Sequence, residues 1–441
     1  MTSRAPSTAC CMMTDLALAP HRSVPVRMPH RAWTVAAATC LALLAAATAV
    51  GVPNVLILPL GQEFGWDVAT LSAAAAVRLA AFGVAGLIAS PLTNLVGLRR
   101  VALIGLAMTA TGLLASLAMT RAWQLMLLWG VLVGTGGGLV SLVLGTTVAA
   151  RWFAARRGLV IGLFGTAATA GQLATLPLLA AVTDAQGWRA CLLVPCALVA
   201  LGMLAVHALV PERPENVGLR PYGAREGGAS TRTTALGSMR ALLPEISRSG
   251  TFWVLFGSFA VCGATTAGLV QAHLVPFCAD LGVGSVPAAG LLAAMGLLSF
   301  LGSTAAGWLS DRFAPGWLLF WFYGLRGLSL VCLPFTDLSF VGLSLFATIF
   351  GLDWVSTVPP TARLLLDRLG HERAPTALGL VFAGHQLGAA ATAYGAGVSR
   401  MGLESYLPSF LAAGALCLLA ACVLPVACGL NQDGPAGQAA T

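Results

Sequence analysis

Apolar residues run along this chain in long blocks, separated by short breaks that carry arginine, glycine and proline. A helix rising 1.5 Å per residue needs about 20 mainly apolar residues to cross ~30 Å of hydrocarbon. Cutting the blocks at charges and turn residues predicts twelve spans. The first six are 33–60, 69–91, 100–119, 123–148, 158–181 and 189–210; the second six are 251–279, 287–309, 317–335, 338–360, 376–398 and 405–428. Between them "PERPENVGLRPYGAREGGASTRTT" reads as a Pro- and Gly-rich linker. "ALGSMRALLPEIS" then reads as a short amphipathic helix suited to a membrane surface. The pattern therefore predicts an all-α polytopic membrane protein. Its parts are a tail (1–32), a six-helix bundle (33–210), a linker (211–250), a second bundle (251–428) and a closing tail (429–441).

Composition agrees: 58% of residues are hydrophobic and 9% are charged, against about 25% charged in soluble domains. All 24 basic residues are arginine, for a net charge of +8. Nineteen of them lie on the side of the tails and linker, from Arg4 to Arg373; Arg121, Arg189 and Arg400 alone lie on the other. The positive-inside rule then places both termini in the cytoplasm of a cell-membrane (inner-membrane) protein. No arginine block interleaves with aromatics, so no nucleic-acid surface is expected. The eleven cysteines lie mostly inside spans, without disulfide or zinc spacing. No cofactor or metal is expected, and Cys10–Cys11 fall in the tail. The opening residues are polar and Pro-rich rather than signal-like, and Met28 is an alternative start.

The two halves echo each other. Thr147, Gly165 and Gln172 are spaced as Thr361, Gly379 and Gln386 are. "SPLTNLVGLRR" after span two corresponds to "GWLSDRFAPGW" after span eight, with Asn94 opposite Asp311. Parallel repeats related by an axis along the membrane normal are expected.

These features together resemble the major facilitator superfamily. Its loop signature after the second helix is Gly, three residues, Asp, Arg, one residue, Gly, then basic residues. The second half keeps Gly307, Asp311 and Arg312. The first half has Ser90, Asn94, Gly97, Arg99 and Arg100, with Asn in the Asp position. That departure, "RWFAARRGLVIGLFGTAATAGQLATLPLL", "LVQAHLVPFCADLG" and "RPENVGLRPYG" are similar to the monocarboxylate-transporter and oxalate–formate-antiporter branch. The resemblance implies a two-bundle transporter with gating latches at Asn94, Gly97, Arg99, Arg100, Gly307, Asp311 and Arg312. Monocarboxylate carriers commonly bear an Asp and an Arg in the eighth helix, and "PAAGLLAAMGLLSFLGSTAAGWL" has neither. The Gly-Pro of drug antiporters is also absent, since Gln172 follows Gly171.

Candidate chemistry lies in the polar residues inside spans. Arg78 is nine residues into span two, about 14 Å deep. A lipid-facing arginine there costs roughly 2.5–3.5 kcal/mol, so it is expected to face a water-filled chamber shared by the two halves. Its fork suits a carboxylate; a structural arginine bonded to carbonyls is the alternative. Arg326 and Asp353 would reconcile their charges as a pair, structural or proton-coupling, and by the resemblance span ten lines the cavity. His273 and His385 are the histidines well inside spans, candidates for substrate binding and proton relay respectively. Asn54, Gln172, Gln271, Gln386 and Tyr394 offer neutral hydrogen bonds to a substrate or to neighbouring helices. "GTGGGLVSLVLG" lies mid-span with no strand before it, so it predicts close helix packing and no nucleotide loop. The same packing is expected of Gly158, Gly162, Gly384 and Gly388.

The resulting expectation is a monomeric secondary transporter of a small, monocarboxylate-like organic anion. It would be proton-coupled and work by rocking of two bundles. Efflux of a hydrophobic or neutral compound is the alternative transporter function. A polytopic enzyme would need a His/Glu metal motif or a Ser or Cys nucleophile beside a base, and none is present; a substrate sensor would share this sequence pattern.

Overall fold

Helix is the only structure that satisfies every backbone polar group within one segment crossing a bilayer. The computed structural model describes residues 30–224, 236–335 and 339–427, and these are helical almost throughout. Arg4, Arg22, Arg27, Cys10, Cys11, Arg225, Arg232 and the closing tail lie outside the described residues. Among the described residues, twelve span-length helices follow one another. They are α1 (Arg31–Phe64), α2 (Val68–Leu95), α3 (Leu98–Ser116), α4 (Ala122–Trp152), α5 (Arg157–Gln186) and α6 (Trp188–Leu209). The second set is α7 (Gly250–Asp280), α8 (Ser285–Ser310), α9 (Pro315–Cys332), α10 (Phe340–Gly370), α11 (371–403) and α12 (Leu407–Ala427). Ten are long and apolar enough on their own to cross a membrane. The other two, α9 and α11, carry Arg326 and the His385–Gln386 pair in mid-helix. The expected loop between spans ten and eleven reduces to a kink at Gly370, whose φ is +76°.

Several spans are not continuous α-helix. Pro53 starts a new helical segment within α1. Wider π-type turns occupy Met126–Val133 of α4, Ala170–Ala174 of α5 and Ala264–Val270 of α7. Each leaves the regular hydrogen-bond ladder locally loosened.

Helices α1–α6 pack as one bundle and α7–α12 as another. Small residues bring backbones together. A Cβ on Gly136 would lie 2.5 Å from Gly105 O, and one on Gly138 would collide with Phe82 O and lie 2.7 Å from Ala85 Cβ. The expected packing role of the 134–145 glycines is thus explained by contact with α2 and α3. The bundles also repeat a crossing: Gly171 of α5 meets the Leu44 carbonyl of α1, and Gly263 of α7 meets the His385 carbonyl of α11. With Gln172 matched to Gln386, these are the same crossing with the glycine moved to the other helix.

The bundles meet through α2 with α11, α5 with α8, and the second halves of α1 and α7. Contact is tightest on the face away from the linker. There Ser285 Oγ donates to Asp184 Oδ2, and Gly397 packs against Ser72. Toward the linker face the gap widens: an added Cβ would lie 2.7 Å from Gln386 at Gly83 but 4.0 Å from Leu87 at Gly379. Gly158, Gly162, Gly165 and Gly307 have open space around them. This corrects the expected close packing of Gly158 and Gly162, which lie on an open face of α5 while Val160 and Phe164 pack inward. Gly384 and Gly388 do pack tightly, against Phe256 and the Ala260 carbonyl. The molecule is closed on the far face and parted on the linker face.

The linker is tied down at both ends. Tyr222 pairs with Trp152 and accepts from Ala154 N and Ala155 N, with Trp33, Phe153 and His30 around its ring. The helix Leu236–Ser247 packs on α7 and α11 through buried Ile246 and a Glu245–Arg373 ion pair of 2.6 Å. Its partner is therefore the second bundle, where a membrane-surface role was expected.

Gly138→Ala is expected to destabilise the first bundle by about 1–3 kcal/mol through overpacking against backbone. Gly162→Ala, into open space, is expected to be neutral or to gain up to about 1 kcal/mol. Melting temperatures of the two variants in detergent check this; equal shifts would contradict the packing assigned to Gly138.

Candidate functional site

Two arginines sit at mid-depth, and their surroundings differ. Pro359 and Pro360 supply no N–H, and α10 breaks over residues 354–357 just before them. The break turns the Val358 N–H to Val355 O, which leaves the Trp354 carbonyl without a helical donor. Arg326 of α9 fills that gap. Its Nη2 donates to Asp353 O at 2.7 Å and Trp354 O at 3.4 Å, and its Nε to Asp353 Oδ2 at 2.5 Å. The remaining Nη1 donates to Cys262 Sγ of α7 at 2.9 Å. Arg326 is fully buried, with the Tyr323 and Phe350 rings beside it. Cys262 also contacts Thr357 Oγ1 at 3.5 Å, and Thr266 stands 3.4 Å from His385 Nε2. The Arg326–Asp353 pair was legible in the sequence; Cys262 and Thr357 were not, because a small residue in an apolar run gives no sign of its neighbours.

Arg78 has no such partner. It is 2% exposed, and its Nε and Nη1 find no acceptor. Arg78 lines a cavity of about 10 Å³, the room of roughly one water. Pro53, Ile57 and Leu60 of α1, Leu71 of α2, and Leu125 and Trp129 of α4 form the walls. The side chain is thus shielded from lipid, as expected. The sequence pattern predicts a chamber between the halves as the shield; its own bundle provides it instead. The reason is the tight α2–α4 crossing, where Gly134 fits beneath the Arg78 carbonyl.

Other polar atoms are open along the helices of the bundle interface. Asn54 Nδ2 of α1, Gln271 Nε2 of α7, Ser72 Oγ of α2 and Gln386 Oε1 of α11 are buried without partners. All four belong to helices that meet across the bundle interface. Gln172 is half-buried on α5, beside the α1 crossing at Gly51. His273 is placed differently from the sequence expectation. Its Nε2 contacts Ala393 O at 2.9 Å and its ring lies against Tyr406, so it is taken up inside the second bundle. Tyr394 is exposed. Among the described residues no cluster of three His, Cys, Asp or Glu side chains is placed to hold a metal ion.

The sequence profile of the Major Facilitator Superfamily matches residues 39–393. The chain belongs to this superfamily. It is a polytopic membrane transporter for a small molecule, not an enzyme. It is 30% identical to monocarboxylate transporter 13 of Rattus norvegicus over 343 residues, 76% of this chain and 75% of that protein. It is 25% identical to the uncharacterized MFS-type transporter YcxA of Bacillus subtilis (strain 168) over 355 residues, 78% and 82% of the two chains. The crystal structure of a D-xylose–proton symporter shares the fold, with a TM-score of 0.68 over 90% of this chain and 97% of that one, at 15% identity.

The superfamily loop positions are held within each bundle. Asn94 Oδ1 accepts from Arg151 Nη2 of α4 at 2.8 Å, and Asp311 faces Arg363 of α10 at 3.7 Å. Arg363 also donates to Ser310 O, and Arg312 lies 3.7 Å over the Trp308 ring. Gly97 has φ +105°, and a Cβ there would lie 2.7 Å from Glu212 Oε1. That carboxylate caps α3, accepting from Leu98 N at 2.5 Å and Arg99 N at 3.1 Å. The expected latch between bundles is not engaged in this conformation: Asn94 and Asp311 turn to arginines of their own bundle, as the parted linker face requires. Glu212 was missed because it lies more than 110 residues from the turn it caps.

Removing one member of a buried ion pair leaves the other charge stranded, at a cost of about 3–5 kcal/mol. Arg326→Leu and Asp353→Leu are each expected to reduce folded yield and melting temperature sharply. The double variant is expected to recover much of the loss. Size-exclusion profiles and melting in detergent check this; strictly additive losses would contradict the pairing.

Proposed function

We propose that this superfamily member moves a small monocarboxylate-like organic anion together with protons, by rocking of its two bundles. One observation carries the reading: the buried guanidinium of Arg78 has two N–H groups with no acceptor. Nε and Nη1 lie on different edges of the guanidinium, and an anion with several acceptor lone pairs, such as a carboxylate, is the group whose charge suits them. The aliphatic and aromatic walls formed by Ile57, Leu60, Leu71, Leu125 and Trp129 suit a short apolar body behind that carboxylate. Relatives named as monocarboxylate transporters support the same class.

In this conformation the Arg78 cavity holds about one water, so loading requires α1 and α4 to move apart. The segment start at Pro53 and the π-type turns of α4 are where such bending is cheapest. Asn54 and Gln386 supply neutral hydrogen bonds from the two bundles, with Gln172 beside them on α5 and His273 as an inner support. Asp353 and His385 carry the proton. The arginine count makes the linker face cytoplasmic, in a bacterial-type inner membrane, with the chain acting as a monomer. The present state is then inward-facing. When the far face opens, the Arg99–Arg100 and Asp311–Arg312 loops close the cytoplasmic side.

The test uses purified protein in sealed vesicles with an imposed pH gradient and labelled lactate as the probe. Wild type is expected to accumulate the probe, with short monocarboxylates competing. Arg78→Gln is expected to lose at least about tenfold of uptake, the equivalent of one charge-assisted hydrogen bond, while still inserting. Unchanged uptake by Arg78→Gln, or competition by lipophilic cations alone, would overturn the reading.

A further inference from the structure

The pair Arg326–Asp353 has a third member. We propose that Cys262 is a proton-carrying group of this transporter, relaying protons between His385 and Asp353; the inference rests on the proton-coupled reading above. The guanidinium spends Nε on Asp353 Oδ2 and Nη2 on backbone carbonyls, and Nη1 on the Cys262 sulfur at 2.9 Å. A thiol is a weak acceptor, whereas a thiolate is a strong one. One cation, buried away from solvent with its partners, balances one anion. Of the Asp353 carboxyl and the Cys262 thiol, one therefore keeps a proton.

Every helix packed around the thiol brings a group to it. From α9 come Arg326 and Tyr323, whose hydroxyl is spent on Ser258 O at 2.7 Å. From α10 come Asp353 and Thr357, the latter 3.5 Å from the sulfur. From α11 comes His385, 3.4 Å from Thr266 Oγ1, which in turn donates to Cys262 O at 2.7 Å. From α12 comes Cys417, 4.0 Å from Thr265 Oγ1. Two buried atoms of these groups have no hydrogen-bond partner, Asp353 Oδ1 and His385 Nδ1. In the proposed relay the proton leaves through the first and enters through the second.

The steps balance with water as the only further reactant. His385, protonated at both nitrogens, gives one proton to the Cys262 thiolate: an N–H bond breaks, an S–H bond forms, and neutral imidazole remains. Protonated Asp353 gives its Oδ1 proton to solvent water admitted as the bundles rock, the carboxyl O–H bond breaking and a hydronium forming, and becomes the carboxylate that alone offsets Arg326. The thiol proton then passes to that carboxylate, which restores the thiolate. A cluster holding one extra proton carries one extra positive charge, the complement of a bound monocarboxylate. Serine at position 262 keeps the size and polarity of the side chain but does not ionise in this range.

The test is Cys262→Ser in vesicles loaded with a pH-sensitive dye, with labelled lactate as the probe. Gradient-driven accumulation and its accompanying proton influx are expected to fall at least tenfold. Exchange of labelled for unlabelled lactate at equal pH is expected to fall less than threefold. Cys191→Ser, in the first bundle, controls for general thiol loss, and melting in detergent controls for folding. A purely structural Cys262 would lower both transport modes together and leave the pH profile of uptake in place; that result overturns the proposal. Accumulation by Cys262→Ser with the wild-type pH profile does so as well. A wild type whose accumulation ignores the pH gradient would overturn the proton-coupled reading and this relay together.

Discussion

A charge inside the hydrocarbon layer has to find its partner within the protein, and this chain solves that problem in two ways. Arg326 is closed on all sides: a carboxylate, the Asp353 carbonyl, the Trp354 carbonyl freed by a proline break, and a sulfur take its N–H groups. Such a closed arrangement fixes α7, α9 and α10 relative to one another, because moving any of them strands a buried charge. Arg78 is left open. Its cost, roughly 2.5–3.5 kcal/mol on insertion scales, is borne by the packing of α1, α2 and α4 around it. On the proposed function, the same deficit is what an incoming anion relieves.

The glycine contacts sort the interfaces in the same manner. Inside each bundle, backbone meets backbone at Gly171 with Leu44, Gly138 with Phe82, and Gly388 with Ala260. Contacts of that kind do not slide, since a shift of one residue brings a side chain where only hydrogen fits. Between the bundles the contacts are mainly side chain against small residue, as at Gly83 with Gln386 and Gly296 with Leu173. They also thin out toward the linker face. Two stiff bodies joined by looser seams are the mechanical requirement for rocking, and the repeated α1–α5 and α7–α11 crossings show that both bodies are built by one rule.

Much of this architecture was readable from the chain. Blocks of apolar residues mark spans because hydrocarbon thickness sets their length, and the doubled spacing of Thr and Gln marks the repeat. The Arg326–Asp353 pair was readable because two charges of opposite sign in adjacent spans have few other partners. The orientation of Arg78 was not. Helix α2 is apolar on every side, so periodicity does not separate the face toward α4 from the face toward α11. The same holds for His273 on α7, which packs inside the second bundle. Cys262 was invisible because its role comes from three helices distant in sequence, and the Glu212 cap because a loop carboxylate can serve any nearby helix end.

One helix ties the open arginine to the closed one. On α11, His385 faces Thr266 and the Arg326 cluster, while the next residue, Gln386, packs on Gly83 of α2. Further along, Ala389 and Ala393 pack against Leu79, the neighbour of Arg78. Within the second bundle α11 is held to α7 by backbone contact at Gly263 and Gly388, so it moves with the cluster as a unit. Any rocking of the bundles must then be taken up at the α2–α11 seam, where Gln386 has an unpartnered oxygen. On the proposed function, that seam is where filling the anion site on α2 is felt by the proton-bearing groups behind α11. The two charges communicate because a rigid helix has one of its residues on each side, with no need for direct contact between them.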